Sequence, residues 1–225
     1  GGKYQNNKVG SCKYSNITIF SFHPVKIITT GEGGAASTND KYLAEKMFQL
    51  RSHGITKDQS KFAASSTPPW HYEQQLLGFN YRMNDIQAAL GINQLSKVDK
   101  FVKKRHEIRD SYKKKLSNKK IKFLEIPFDV YSSLHLLVIR IEDITETMHI
   151  ELFEKLRDCG IGVQLHYMPV HLQPYYQKLG FKKNDFPVAE KYANSAISIP
   201  IFPDLKQEEL DYVVESIENA IKSLK

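Results

Sequence analysis

Apolar residues recur every three or four positions in the first half of the chain and predict two helices there. The first helix covers residues 41–51 and follows Asn39-Asp40, a pair of residue types that cap helix N-termini. The second begins after Asn84-Asp85 and continues, with a break, toward Leu116, a length that suits a connection between two lobes. The apolar positions behind these predictions are Leu43, Met47 and Leu50 in the first helix and Ile86, Ala89, Leu90, Leu95 and Val98 in the second.

Shorter apolar runs of strand length lie on both sides of these helices. Residues 55–79 are polar, include Pro68-Pro69 and lack a clear period, so they predict a loop. The predicted strands are 17–22, 35–38, 121–124, 134–141, 161–166 and 196–201, and the further predicted helices are 147–158 and a last one that Pro203-Asp204 opens. This mixture predicts an α/β fold, with part of a large domain and the bridging helix over residues 1–118 and a small α/β domain over 119–225.

The composition is that of an ordinary globular protein, since 41% of the 225 residues are hydrophobic and 25% are charged. The sequence contains no run of about eighteen apolar residues, so we expect no membrane span. Cys12 and Cys159 lie far apart, and their spacing fits neither a disulfide framework nor a zinc-binding pattern. We therefore expect a protein of the reducing cytoplasm without a metal site.

The net charge of +7 raises the question of an anionic partner. Basic residues concentrate between Lys97 and Lys120, in runs such as Lys103-Lys104-Arg105 and Lys113-Lys114-Lys115. We interpret them as the solvated face of the long helix, because no helix-turn-helix, zinc-finger or RNA-binding signature accompanies them. A basic nucleic-acid-binding module is the alternative, and it requires a continuous patch with steeply salt-dependent affinity.

One lysine stands where an apolar strand ends and a glycine-rich turn follows. The apolar run extends from Ile17 to Phe22, the sequence continues as His23-Pro24-Val25-Lys26, and the turn is Gly31-Glu32-Gly33-Gly34. Burial disfavours the charged form of an amine, and a neutral lysine amine can attack an aldehyde to form a Schiff base. The glycines fit neither a dinucleotide-binding pattern nor a P-loop. Lys26 is therefore the candidate catalytic residue, against the alternative of a surface lysine in a basic chain.

Three further strings combine aromatic, amide and imidazole side chains. They are Pro69-Trp70-His71-Tyr72-Glu73, then Gly78-Phe79-Asn80-Tyr81-Arg82-Met83-Asn84, and finally His166-Tyr167-Met168-Pro169-Val170-His171. An amide just before a helix N-terminus, such as that of Asn80, is a good contact for an anion. The two histidines of the last string resemble a metal-binding pair only loosely, because no carboxylate is spaced to complete the ligand set.

Together these strings resemble the DegT/StrS-type sugar aminotransferases, a family of pyridoxal-phosphate (PLP) enzymes of fold type I, over nearly the whole chain. The resemblance implies that Lys26 forms a Schiff base with PLP and moves the proton between the cofactor and the substrate carbon. It implies that Ser21 donates a hydrogen bond to the PLP phosphate, against the alternative of a strand-end serine that caps a turn. It also implies that Asn80 reaches the phosphate held by the partner subunit, so that a homodimer shares its active sites; the alternative for Asn80 is an ordinary loop residue.

Seven residues are candidates for the substrate side of this site, and each has a structural alternative. His23, beside the lysine turn, is either a site residue or a structural histidine, and the two interpretations have equal weight. Those of the aromatic string either contact a sugar nucleotide or fix their loop, and those of the last string either face the substrate, as the resemblance implies, or are ordinary loop residues. The seven are His23, Trp70, His71, Tyr72, His166, Tyr167 and His171.

By resemblance, the intact enzyme transfers an amino group, usually from glutamate, to the 4-keto carbon of a nucleotide-linked deoxysugar. Strings such as Arg51-Ser52-His53-Gly54 most resemble members that aminate a UDP-linked 4-keto-6-deoxy-N-acetylhexosamine on the route to pseudaminic acid. In this family the aromatic ring that stacks on PLP, the phosphate-binding turn and the aspartate that pairs with the pyridine nitrogen all precede the segment that begins at Gly1. We therefore expect the C-terminal part of a longer enzyme, inactive by itself. The rival is a non-catalytic member that binds or regulates a partner, which requires an exposed, unreactive Lys26.

Overall fold

The structure, a computed structural model, describes residues 1–116 and 118–224. Its helices are α1 (Lys41–Arg51), α2 (Asp85–Leu95), α3 (Val98–Lys115), α4 (Glu146–Asp158), α5 (Pro174–Gln177), α6 (Pro187–Ala193) and α7 (Gln207–Ser223). Its strands are β1 (Lys3–Tyr4), β2 (Asn7–Lys8), β3 (Thr18–Ser21), β4 (Gly34–Ser37), β5 (Ile55–Thr56), β6 (Glu73–Gln74), β7 (Ile121–Phe123), β8 (Val130–Tyr131), β9 (Leu137–Ile141) and β10 (Ala196–Ile199). Short 3-10 helices cover Gln59–Lys61 and Val170–Leu172. This mixture of helices and strands confirms the predicted α/β fold.

The strands pair antiparallel in small sheets. Strands β3 and β4 form a hairpin in which Ser21 lies opposite Gly34, and β5 and β6 form another. Strand β1 lies between β2 and β8, and β9 lies between β10 and β7. The β3–β4 hairpin thus carries the segment that leads to Lys26, and the sheet around β9 belongs to the second half of the chain.

The chain divides into two compact units. Unit 1 comprises residues 1–98 and 129–131, and unit 2 comprises residues 99–128 and 132–225. The predicted division into a large domain up to residue 118 and a small domain from residue 119 stays a proposal about the whole protein.

Side-chain caps set the helix starts that the sequence predicts. Asp40 Oδ1 accepts the Leu43 N–H at 3.0 Å, so α1 begins directly after the predicted cap. Asn84 Oδ1 accepts the Gln87 N–H at 2.9 Å, and Gln87 Oε1 accepts the Asn84 N–H at 3.2 Å, which completes a capping box at the start of α2. The predicted break in the long helix is the junction between α2 and α3 at residues 96–97.

Unit 2 contains the hydrophobic core. Strands β9 and β10 are buried along almost their whole length, and α3, α4 and α7 contribute buried apolar residues to the same cluster. The largest fully buried side chains are Tyr112, Ile139, Leu152, Leu156, Ile197, Ile217, Val102 and Val163. Burying a side chain of this size contributes about 1.5–3 kcal/mol, so this cluster is the main source of stability in unit 2.

Unit 1 has little buried surface of its own. Among its described residues, Thr30 and Gly54 are the buried ones. The apolar side chains of Ile19, Leu77 and Ile86 are 80%, 88% and 84% exposed. Backbone pairing, caps and turns therefore hold the elements of unit 1, and its apolar faces are uncovered in this chain.

The structure corrects two predictions about single segments. The predicted strand over residues 161–166 is wrong, because that segment makes a single antiparallel bridge, between Gln164 and Ser198, and no ladder. Strand β10 pairs along its length with β9, and a second strand would need a continuous row of partners on its other edge. The predicted loop over residues 55–79 contains the β5–β6 hairpin, whose two-residue strands are too short to give a periodic signal.

Candidate active site

Lys26 lies on a tight turn directly after β3. The Lys26 N–H donates to the His23 carbonyl at 2.9 Å, and Lys26 is half-buried. Ser21 is exposed at the end of β3, and its Oγ accepts the His23 N–H at 3.5 Å. That contact leaves the hydroxyl hydrogen of Ser21 for another acceptor. The turn therefore presents an amine and a hydroxyl close together in sequence at the end of one strand.

The loop that follows Lys26 folds back on Phe22. The Phe22 carbonyl accepts the Thr30 N–H at 3.0 Å and the Thr29 hydroxyl at 2.9 Å, and the Phe22 N–H donates to the Gly33 carbonyl at 2.9 Å. Gly33 has a φ of +152°, and a Cβ there would overlap the Thr30 hydroxyl. Glycine is required at this position, and the closed loop fixes the backbone on both sides of Lys26.

The glycine turn meets the start of α2. Gln87, in the first turn of α2, donates from Nε2 to the Glu32 carbonyl at 3.0 Å, although 55 positions separate the two residues. A cleft of about 500 Å³ lies at this junction. Its lining comprises Ile19, Phe20, residues 32–36, residues 81–83 and Gln87. The fold thus brings the glycine turn that follows the lysine and the Asn80 string to one cleft.

His23 stands between the lysine turn and the glycine turn. Its Nε2 lies 3.9 Å from Glu32 Oε1, and both side chains are largely exposed. Its Nδ1 accepts the Val25 N–H at 3.5 Å. These contacts fit the structural interpretation of His23, and the exposed ring also leaves the site interpretation open.

Asn80 is held by backbone pairing at the C-terminal end of α1. It forms an antiparallel bridge with Ser52, and the next residue, Tyr81, donates its N–H to the Arg51 carbonyl at 3.0 Å. Asn80 itself is exposed. Because this pairing uses the backbone, it fixes the residue without occupying the side-chain amide that the resemblance assigns to a phosphate.

His71 makes contacts that fix the loop of the aromatic string. Its Nε2 lies 3.3 Å from Glu73 Oε1. The Glu73 carboxylate accepts the Ala63 N–H at 2.8 Å, and this bond, more than the contact with His71, lowers the pKa of the Glu73 carboxyl. The rings of Trp70 and Tyr72 are 80% and 55% exposed. Of the three candidates in this string, His71 therefore has a loop-fixing partner, and Trp70 and Tyr72 present their rings to solvent.

The last string lies in unit 2, beside a second cleft of about 650 Å³. His166 Nδ1 lies 2.7 Å from Ser198 Oγ, and both His166 and the exposed Tyr167 line this cleft. His171 is buried, and its Nε2 lies 2.9 Å from Glu190 Oε1. The structure therefore places two of the three candidates of this string on a cleft wall and the third behind it.

Some residues that organise these sites were not candidates from sequence. Glu190 and Ser198 gave no signal, because their partners His171 and His166 are 19 and 32 positions away. Gln87 did carry one, since Asn84 with Gln87 three residues later is the pattern of a capping box. That pattern predicts the helix start, and the further bond from Gln87 to Glu32 depends on the fold.

Lys26, Ser21 and Asn80 do not line the first cleft themselves but lie in the segments that lead into its lining, and the chemistry of their donors fits a carbonyl-bearing, phosphorylated cofactor such as PLP. Lys26 supplies an amine that can bond to a carbonyl carbon. Ser21 supplies a hydroxyl hydrogen that the chain does not use in its contact with His23, and Asn80 supplies an exposed amide. Within the described residues, no group of three or more histidine, cysteine, aspartate or glutamate side chains is placed to hold a metal ion.

The basic face of α3 is interrupted by carboxylates. Lys104 Nζ lies 2.8 Å from Glu107 Oε2, and Lys115 Nζ lies 2.8 Å from Asp211 Oδ1. These ion pairs favour a solvated helix face over a continuous surface for nucleic acid. In the part of the chain that the structure describes, none of the helices has the length and apolar character that a membrane crossing needs.

Comparison with known proteins identifies the family. Residues 1–218 match the DegT/DnrJ/EryC1/StrS aminotransferase family. The chain is 37% identical, over 226 aligned residues, to the UDP-4-amino-4,6-dideoxy-N-acetyl-beta-L-altrosamine transaminase of Campylobacter jejuni, and the match covers 100% of this chain and 57% of that relative. The chain belongs to the DegT/DnrJ/EryC1/StrS aminotransferase family, which consists of PLP-dependent sugar aminotransferases.

Solved structures agree with this assignment. Helicobacter pylori PseC, an aminotransferase involved in the biosynthesis of pseudoaminic acid, matches with a TM-score of 0.88 and 34% identity over 99% of this chain and 57% of its own. The PLP-form of Spr1654 from Streptococcus pneumoniae matches with a TM-score of 0.89 and 29% identity over 100% of this chain and 56% of its own. The resemblance and the fold inferred from the sequence are confirmed, and the chain spans a little over half the length of these relatives.

Proposed function

We propose that this chain is the C-terminal part of a PLP-dependent nucleotide-sugar aminotransferase and that Lys26 is its catalytic residue. The observation that carries the proposal is the bond from Gln87 to the Glu32 carbonyl, which joins the lysine segment and the Asn80 segment at one cleft. Membership of the aminotransferase family supports the same assignment.

In the proposed site, three side chains hold the cofactor. PLP, when bound, supplies a carbonyl carbon that takes up an amino group and a ring that delocalises negative charge. Lys26 Nζ would provide the amine for covalent attachment and would carry a proton between the substrate carbon and the cofactor. Ser21 donates its hydroxyl hydrogen to the phosphate. Asn80 donates its amide to the phosphate of a second subunit, so that two copies share their sites.

For the substrates, we propose glutamate as amino donor and a UDP-linked 4-keto-6-deoxy-N-acetylhexosamine as acceptor. The name of the Campylobacter jejuni relative supports a UDP-linked amino sugar of this kind. Exposed aromatic side chains such as Trp70 and Tyr72 are suited to contact a sugar or a base, and Tyr167 in unit 2 is also exposed. The two free cysteines fit a reaction in the reducing cytoplasm.

We further propose that the chain needs the rest of the protein for activity. It covers 57% of the Campylobacter jejuni relative, and large apolar side chains of unit 1, such as Leu77 and Ile86, are almost fully exposed. Such surfaces are normally covered in a stable fold. Covering them with the remaining polypeptide would order the segments on both sides of Lys26.

The proposal predicts that borohydride fixes PLP on Lys26. The 225-residue chain and a version extended to the relatives' length are each mixed with PLP, reduced, digested and mapped by mass spectrometry. Lys26→Ala should lose the labelled peptide and lower the transaminase activity of the extended protein at least about a hundredfold, because it removes the proton-transferring amine. The matched control is Lys46→Ala, which removes another lysine of unit 1. This variant should keep both the labelled Lys26 peptide and the transaminase activity. Labelling at a different lysine, or full activity in Lys26→Ala, would falsify the assignment of Lys26.

A further inference from the structure

A buried acid–base pair in unit 2 has no part in the proposed chemistry. The side chains of His171 and Glu190 are only 7% and 10% exposed, and His171 Nε2 lies 2.9 Å from Glu190 Oε1. This hydrogen bond is the main reason that the pKa of the Glu190 carboxyl is lowered. Because the carboxylate is ionised, the Nε2–H of His171 donates to it. Removing one partner from such a buried pair leaves the other unsatisfied, so the pair strongly favours one local arrangement.

The pair also fixes the segment that precedes α6. Glu190 Oε1 accepts the Asn184 N–H at 2.7 Å, so one carboxylate holds both His171 and the backbone at residue 184. The His171 ring meets the Phe186 ring edge to face, with 4.8 Å between their centroids. One hydrogen bond and one ring contact therefore tie residues 184–190 to residue 171, and the bond from Asn184 to Glu190 closes that segment on itself.

The tied segments are the two walls of the 650 Å³ cleft. One wall consists of His166, Tyr167 and Pro169, and the other consists of residues 185–189 with Tyr192. His171 lies two residues after Pro169, Glu190 lies between Ala189 and Tyr192, and neither lines the cleft. Their hydrogen bond thus joins the two walls from behind.

We propose that His171 and Glu190 are positioning residues that set the separation of the cleft walls and thereby the affinity of the cleft for a sugar nucleotide. This inference rests on the proposed function for the identity of the ligand. The cleft presents the aromatic rings of Tyr167, Phe186 and Tyr192, and flat rings bind a base or a sugar tightly only when their spacing is fixed in advance. Loosening the walls therefore weakens binding of the sugar nucleotide and leaves the chemistry at Lys26 unchanged.

The first measurement follows the walls without any ligand. In Glu190→Ala, amide hydrogen exchange of residues 181–189 should be roughly tenfold faster than in the wild type, while exchange in α4 stays the same. The exchange rate of these residues in Glu190→Gln should lie between those of the wild type and Glu190→Ala, because the glutamine amide oxygen still accepts a hydrogen bond. The control is His149→Gln, which alters another buried histidine of unit 2, bonded to the Ala196 carbonyl at 3.1 Å, and should leave residues 181–189 unchanged.

The second measurement uses UDP-N-acetylglucosamine as the probe in calorimetric titrations of the same proteins. Glu190→Ala and His171→Ala should raise the Kd about tenfold, Glu190→Gln and His171→Gln should recover part of the affinity, and His149→Gln should bind like the wild type. Unchanged exchange in Glu190→Ala, or faster exchange with an unchanged Kd, overturns the proposal. PLP labelling of Lys26 should be the same in all of these variants. Its absence from the wild-type protein extended to the relatives' length would contradict the proposed function alone, since the exchange and affinity measurements do not involve Lys26.

Discussion

At the scale of single residues, the chemistry of each candidate depends on neighbours that fix its backbone. Lys26 is half-buried on a turn that the Phe22 carbonyl closes, and glycine at position 33 permits that closure. His71 and Glu73 show the same dependence, because the carboxylate of Glu73 is anchored by the Ala63 N–H as well as by the imidazole. In the aromatic string, His71 therefore contributes to fixing the conformation of its loop.

The anchoring of Glu73 predicts a pH dependence. Its pKa is lowered in the folded chain from the usual value of 4.5, so its contribution to the stability of the loop is present above pH 4.5 and is lost as the pH falls through the folded pKa. Glu73→Gln should therefore be less stable than the wild type at neutral pH, and the difference should shrink below pH 4.5. Amide exchange at Ala63, followed over a pH series and corrected for intrinsic rates, measures it.

The Ala63 N–H and the His71 ring lower the pKa of the Glu73 carboxyl to different extents, and a second variant separates their contributions. His71→Ala should leave the Glu73 carboxyl with a titration midpoint still below 4.5 in a carbon-detected NMR titration, because the Ala63 N–H makes the larger contribution. A midpoint that returns to the usual value in this variant would show that His71 is the dominant cause.

At the scale of elements, short-range hydrogen bonds decide where helices begin. Asp40, Asn84 and Thr145 each accept a backbone N–H from three residues ahead, and α1, α2 and α4 begin directly after them. These bonds satisfy donors that have no partner inside the helix. Helix capping gives no information on segments that lie outside helices. In this chain the segment 161–166 is such a case, because the sequence predicts a strand there and the segment makes only a single bridge.

The cap of α4 predicts a measurable loss of stability. Thr145 Oγ1 accepts the Met148 N–H at 3.2 Å, and Thr145→Ala removes that acceptor. The free energy of unfolding of unit 2 should fall by about 1 kcal/mol, measured by urea unfolding with far-ultraviolet circular dichroism. Thr147→Ala, two residues further along the exposed first turn, is the control and should be close to neutral. Equal losses in both variants would argue against the cap.

At the scale of the whole molecule, burial is distributed unequally between the two units. The buried apolar cluster belongs to unit 2, and Thr30 and Gly54 are the buried residues among those described in unit 1. A unit without a core of its own is stabilised mainly by whatever covers its apolar faces. The share of its relatives that the chain covers, 57%, is consistent with a partner region elsewhere in the protein.

This imbalance predicts the order in which a protease attacks the chain. Trypsin should release peptides of residues 1–98 well before peptides of residues 132–224, because local opening costs less where few apolar side chains are buried. Mass spectrometry of a timed digest gives the order, and lysine and arginine residues occur throughout both units. In a version extended to the relatives' length, the two units should become similarly resistant. Equal cleavage of both units in the present chain would contradict the unequal stability.

The sequence by itself determined the features that depend on neighbouring positions. The helix starts at residues 41 and 85 follow from caps and periodicity within a few residues, and α4 begins one residue before the predicted start at residue 147. The lysine and asparagine strings identify the family because their residues are consecutive. The strand predicted over residues 17–22, which the structure has as Thr18–Ser21, and the break after α2 belong to the same group. All of these are local in the chain, so spacing alone carries them.

Only the tertiary structure decided the contacts between distant positions. Gln87 donates to the Glu32 carbonyl across 55 positions. His171 contacts Glu190 across 19 positions, so His171 lies behind the cleft wall and not on the cleft surface. The two-residue strands β5 and β6 exist because they pair with each other. Such contacts depend on the path of the whole chain, and buried polar groups need hydrogen-bond partners that the fold supplies. The spacing of residues within one segment does not encode these partners.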